Sequence, residues 1–163
     1  MSIYLRARRS VVLAIVGAIV LSATASAFAF DIGSILNNKP KEPDKFALIR
    51  VDNLASLMAN PNSHVNIYDA NGWGLRSSAG VIPGAHLLSS DDKYDVATTL
   101  PPDKSAKLVF YCADPQCTAS HEAARRAIAA GYTDVSVMSD GIWGWVAAGK
   151  PVEHPKLQES KNS

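Results

Sequence analysis

The sequence predicts an α/β fold built on a mostly parallel sheet, and three observations lead there. Short runs at 47–51, 65–68, 85–88, 108–111 and 135–138 carry apolar, β-branched and aromatic residues at strand length. Helical stretches separate them, the clearest at 118–130, closed by Gly131. Turn residues punctuate the switches, as in Asn60-Pro61-Asn62 and Pro101-Pro102-Asp103. Strands alternating with helices at short spacing pack as a sheet covered by helices. In such sheets the site lies beyond the carboxyl ends of the strands.

Residues 1–27 stand apart from this pattern. Arg6, Arg8 and Arg9 form a basic region, 11–21 is continuously apolar, and Ala25-Ser26-Ala27 offers small residues for cleavage, with Ala27-Phe28-Ala29 as a second candidate. That is the pattern of a secretory signal peptide. The uncharged stretch 10–30 is also long enough to span a bilayer as an uncleaved anchor. Ser22, Thr24 and Ser26 dilute its apolar character and favour cleavage. The expected location is therefore periplasmic or otherwise exported, or anchored in an inner membrane and facing the periplasm. Residues 28–45, with Pro40, Pro43 and mixed charges, read as a linker. The domain is expected at 46–153, followed by a polar tail at 154–163.

Within the domain, Asp52 or Asn53 can cap a helix running to about Met58. Asp69 closes the second strand, and a glycine-rich loop follows from Asn71 to Gly84. A helical turn is expected between Ser89 and Leu100. The last strand, at 135–138, leads into a final helical stretch at 141–148, ended by Gly149 and Pro151. Trp143 and Trp145 are expected to pack in the core and rim under that stretch.

Composition bounds the function. The chain has 163 residues with 16 basic and 15 acidic side chains, so no electrostatic case for nucleic acid exists. Two cysteines do not make a disulfide scaffold. They do sit at an informative place. Cys112 follows the apolar run 108–111 and precedes the helix at 118–130. A thiol there faces loop N–H groups and the positive end of a helix dipole, which stabilise a thiolate and bind anions. Export would put both thiols in an oxidising space, where Cys112 and Cys117 can pair.

Several segments resemble one family in order and spacing: Asp69 after a strand, Gly80-Val-Ile-Pro-Gly-Ala85, Cys112 with its loop and helix, Gly131-Tyr-Thr-Asp-Val135, Asp140-Gly-Ile-Trp-Gly-Trp145 and Ala148-Gly-Lys-Pro-Val152. Together they resemble a single-domain rhodanese, a sulfurtransferase-type module, over roughly 46–153. The resemblance implies a rhodanese-like α/β fold with a five-stranded parallel sheet flanked by helices. It implies that Cys112 takes sulfane sulfur from a donor such as thiosulfate, holds it as a persulfide, and yields it to a thiophilic acceptor. It also implies that the loop formed by Ala113, Asp114, Pro115, Gln116, Cys117 and Thr118 wraps the sulfur with its amides. The partners so implied are a small sulfur donor and a thiol acceptor or protein thiol. Neither cofactor nor metal is implied, and the expected state is a monomer.

The chain departs from the family pattern in ways that bear on the donor. Where the family has Asp-x-Arg, this sequence reads Asp69-Ala70-Asn71. Many active members carry a cation inside the cysteine loop; this loop has Asp114 instead. A carboxylate there repels thiosulfate and raises the thiol pKa, so a neutral sulfane donor suits the loop better. Arg76 and His121 are the auxiliary candidates, Arg76 to supply the missing charge and His121 to assist proton transfer. For His121 a solvated helix surface is the plainer expectation. Cys117 is read as a resolving thiol, a disulfide partner, or loop filler.

Two further classes compete. The same fold can serve as a non-enzymatic binding or redox-sensing module through Cys112 and Cys117. A cysteine phosphatase would need an arginine six residues after the nucleophile to clamp phosphate, and that position is Thr118. Cys112, Cys117 and His121 have ligand types for a soft metal, but their spacing matches no standard zinc site.

Overall fold

The computed structural model describes residues 44–155. The signal-peptide, anchor and cleavage expectations, most of the linker, and nearly all of the tail lie outside the described residues. No helix among the described residues is long and apolar enough to cross a membrane.

Five strands form one sheet: β1 (Ala47–Ile49), β2 (Asn66–Asp69), β3 (His86–Leu87), β4 (Leu108–Tyr111) and β5 (Val135–Met138). Their order is β1-β5-β4-β2-β3, and every pairing is parallel. The helices are α1 (Val51–Ala59), α2 (Trp73–Ala79), α3 (Val96–Thr99), α4 (Ala119–Ala129) and α5 (Gly141–Ala147). β4 is central, and all four of its residues are buried. A strand covered on both faces has no need of polar alternation, which is why Leu-Val-Phe-Tyr reads as continuous apolar sequence.

The period of two along β4 divides the core into two layers. Leu108, Phe110 and Cys112 point to one layer, shared with Tyr94 and with Ala123, Ala124 and Ala127 of α4. Val109 and Tyr111 point to the other, shared with Leu54 of α1, Ile82, and Ile142 and Trp145 of α5. Full burial of an aliphatic side chain such as Leu54 or Ile82 contributes about 1.5–3 kcal/mol. The alanine face lets α4 approach the sheet closely. The long segment before β4 is tied to α4: the Tyr94 hydroxyl donates to the Ala123 carbonyl at 3.0 Å, and Arg126 Nε donates to the Tyr94 carbonyl at 2.9 Å.

Two expectations are corrected. The N-cap of α1 is Arg50, ahead of Asp52 and Asn53. The Asn53 side chain reaches back to accept from the Arg50 amide at 2.9 Å, and Asp140, from the far end of the chain, accepts from the Val51 amide at 2.9 Å. Capping groups from other positions thus replace the local Ncap side chain. Second, the segment expected as a glycine-rich loop contains α2. Leu75 and Arg76 donate to the Gly72 carbonyl, both at 3.2 Å, and burial of Arg76 and Ala79 compensates for the low helix propensity of its glycine and serines.

Candidate functional site

The site is built on the carboxyl end of β4. Cys112 is 1% exposed and closes the layer beneath α4. The chain then leaves the sheet through residues 113–118 and turns into α4, whose first turn comes back over the sulfur. The Ser120 side chain is buried there, and its Oγ lies 3.2 Å from Cys112 Sγ. A hydroxyl at that distance donates to sulfur when the sulfur is thiolate or persulfide. Ser120 is thus the side chain of α4 that meets the sulfur. Its α-helical phase, which turns it toward Cys112 and turns His121 away, is fixed by where α4 starts.

Cys112 and Cys117 form a disulfide, with Cα atoms 6.3 Å apart. The pairing left open by sequence is therefore present in this structure. Cys117 is less buried than Cys112. Asp114 shapes the turn between them. Its Oδ1 accepts from the amides of Gln116 at 2.9 Å and Cys117 at 3.1 Å, and its carbonyl also accepts from the Cys117 amide at 3.1 Å. Two amides that the family resemblance assigns to the sulfur are thus occupied by a carboxylate. Pro115, Gln116 and Thr118 are exposed at the rim, and Ala113 is half-buried.

The first turn of α5 clamps the loop from the side. The Ile142 amide donates to the Cys112 carbonyl at 2.8 Å, and the Trp143 amide to the Ala113 carbonyl at 3.1 Å. These are amides that a helix start leaves without intrahelical partners. Gly141 makes the approach possible: its φ is +64°, and a Cβ placed on it would stand 2.3 Å from the Ala113 oxygen. The Asp140-Gly141 step that carried part of the family motif is thus a backbone docking point for the nucleophile loop. Trp143 and Trp145 both belong to α5 itself: Trp145 is buried on its core face and Trp143 is half exposed.

On the opposite layer lies a buried polar network. Asp69, fully buried, accepts from the Tyr111 hydroxyl at 2.7 Å and from the Asn71 amide at 2.6 Å, and pairs with Arg76 Nε at 3.4 Å. Arg76 Nη2 also donates to the carbonyls of Asp69 at 2.8 Å and Leu88 at 2.9 Å. Tyr111 in turn accepts from the Ile82 amide at 3.0 Å. Burial, reinforced by the Asp69 carboxylate, raises the Tyr111 pKa well above that of free phenol, so it stays a donor.

Neither auxiliary candidate makes a described contact with Cys112. Arg76 is turned to Asp69 and to backbone carbonyls, and it brings no described contact to Cys112. It does supply positive charge beside Asp69, close in the chain to Asn71. His121 stacks edge-on against Phe46 with ring centroids 5.3 Å apart, and its Nδ1 is buried without a hydrogen-bond partner. Among the described residues no group of three His, Cys, Asp or Glu side chains is placed to hold a metal.

The rhodanese-like domain family model matches residues 50–148. Comparison with curated proteins gives no match. Among solved structures, a protein of Bacillus halodurans, BH2092, superposes with a TM-score of 0.56 at 21% identity, covering 66% of this chain and 76% of its own. The rhodanese-like domain of the Anabaena protein Alr3790 gives 0.55 at 21%, covering 71% and 85%. A thiosulfate sulfurtransferase of Pseudomonas aeruginosa gives 0.56 at 21%, covering 68% of this chain but 21% of that longer one. At these identities the likeness is one of fold.

Proposed function

The chain belongs to the rhodanese-like domain family, and from that premise we propose that it is an exported sulfurtransferase carrying sulfane sulfur on Cys112. The observation that carries this reading is the placement of the Cys112 sulfur at the carboxyl end of the central strand, 3.2 Å from the Ser120 hydroxyl. The reduced thiolate attacks the outer sulfur of a donor. A Cys112 persulfide forms, the bond within the donor breaks, and the donor remainder leaves with the electron pair: sulfite from thiosulfate, a thiolate from an organic persulfide. A thiol or another thiophile then attacks the sulfane sulfur and regenerates the Cys112 thiolate. Ser120 supplies a hydrogen bond to the charged sulfur.

Asp114 sets the donor class. Its carboxylate occupies amides of Gln116 and Cys117 that would otherwise face an anion, and it adds like charge. Thiosulfate is accordingly the poorer donor, and an uncharged sulfane sulfur, on a small thiol or a protein thiol, the better one. The disulfide must be reduced before either reacts. Export rests on the N-terminal pattern of residues 1–27 alone.

One observation favours a second reading: the Cys112–Cys117 bridge suits a rhodanese-like binding or redox-sensing module that performs no transfer. Mass spectrometry of the reduced domain after incubation with sulfur donors separates the two. Gain of one sulfur atom on Cys112 in the Cys117→Ser domain, lost on adding cyanide or thiol and absent when Cys112 is also replaced by Ser, supports transfer. Re-formation of the disulfide by oxygen, with no sulfur gained from any donor even when Cys117 is replaced by Ser, overturns it.

A further inference from the structure

The transfer chemistry uses one thiol and leaves the second, Cys117, without a task. We infer that Cys117 resolves the Cys112 persulfide within the molecule and makes the domain a sulfane-sulfur reductase that releases sulfide; this rests on the Cys112 persulfide of the reading above. The bridge shows that Cys117 reaches the Cys112 sulfur itself, with Cα atoms 6.3 Å apart, in the range ordinary for disulfides. It forms across a turn already fixed by Asp114, whose side chain and carbonyl both hold the Cys117 amide. α5 holds the other end of that turn through the carbonyls of Cys112 and Ala113.

The step balances without an outside oxidant. The Cys117 thiolate attacks the inner sulfur of the persulfide, Cys112 Sγ. The bond between Cys112 Sγ and the sulfane sulfur breaks, and the latter leaves as hydrosulfide with the electron pair and the persulfide proton. The sulfane sulfur is reduced to sulfide while the two cysteine sulfurs are oxidised to the disulfide. Turnover needs a dithiol reductant, a small dithiol or a protein dithiol of the thioredoxin chemical class. The difference in burial gives this return step a direction. The reductant attacks Cys117, the more accessible sulfur, and Cys112 leaves as a thiolate into the hydrogen bond of Ser120, ready for the next donor.

The test is a single turnover of the reduced protein, oxygen excluded and no thiol added, with thiosulfate in one arm and glutathione persulfide in another. Sulfite, the intact mass and sulfide are measured. Wild type is expected to lose the mass of two hydrogens as the bridge forms and, in the thiosulfate arm, to release sulfide in step with sulfite. Cys117→Ser and Cys117→Ala are expected to stop at the persulfide, with one sulfur gained and sulfide release lost. Wild type that holds the added sulfur and releases no sulfide, as the Cys117 variants do, overturns the inference while leaving the Cys112 carrier intact. If the Cys117 variants acquire no sulfur from either donor, the carrier itself fails, and the inference with it.

Discussion

Gly141 presses its bare Cα against the Ala113 carbonyl, in a space where a Cβ would stand 2.3 Å from the oxygen. Gly141→Ala therefore meets two penalties at once. The left-handed φ of +64° strains any residue with a Cβ, and the obstacle is backbone that cannot rotate away. A loss of about 3 kcal/mol is expected in urea unfolding. The folded fraction should also load sulfur more slowly, because the Cys112 loop is displaced. Wild-type stability in that variant would refute the close approach.

Ser120→Ala removes the hydroxyl beside Cys112 Sγ and leaves the cavity of a single oxygen. A hydrogen bond to a charged acceptor contributes about 1.5 kcal/mol, so the rate of persulfide formation should fall roughly tenfold. Thermal stability should move little. Stopped-flow loading of the reduced variant measures this, and an unchanged rate would remove Ser120 from the site.

Asp114→Asn keeps an oxygen to accept from the Gln116 and Cys117 amides and deletes the charge. The turn survives, so the comparison isolates electrostatics. The rate with thiosulfate should rise roughly tenfold at low salt, and the rise should shrink as salt screens the site. The rate with an uncharged organic trisulfide should change far less. Equal gains with both donors would show that Asp114 acts through loop shape.

Arg76→Ala leaves the buried Asp69 carboxylate without its cation. Breaking such a pair by removing one partner costs about 3–5 kcal/mol, read as a lowered urea midpoint. Sulfur loading per folded molecule should stay near wild type, since Arg76 contacts Asp69 and backbone carbonyls. A selective loss of donor affinity with stability intact would return Arg76 to the role of substrate cation.

Alkaline pH should weaken the fold through its buried phenols. Burial pushes the Tyr68 pKa up to about 12, and it raises Tyr94 and Tyr111 further still. In the unfolded chain these groups ionise near 10. The unfolded state thus loses protons first as pH rises, and stability present below about pH 10 is lost from there upward through the folded values. Tyrosinate absorbance should lag behind a normal titration until unfolding releases it. Three phenols titrating near 10 in the folded protein would contradict their burial.

The strands β4 and β5 were legible residue for residue: β4 is apolar without interruption, β5 breaks only at the half-buried Ser136, and both end where the apolar pattern stops. Cys112 was legible for the same reason: a polarisable thiol directly after such a strand can only stand at the sheet's carboxyl edge. α2 was hidden, since Gly72, Gly74, Ser77 and Ser78 speak for a loop and only tertiary burial of Arg76 and Ala79 makes the segment helical. Ser120 and His121 show the limit most clearly. They are neighbours in the chain, and one residue of helical phase decides which of them meets the sulfur. Arg76 was drawn toward the loop by sequence proximity to the missing arginine, whereas α2 folds its guanidinium back onto Asp69. Gly141 was visible as part of a motif, but its contact with Ala113 joins two segments nearly thirty residues apart.

The clamp of α5 on the nucleophile loop also provides a clock. The amide protons of Ile142 and Trp143 are given to the carbonyls of Cys112 and Ala113. They can trade hydrogen for deuterium only when the loop lifts away from the helix start. Their exchange therefore times the breathing of the loop that carries the sulfur, in oxidised and reduced protein alike, without a reagent ever touching the thiol.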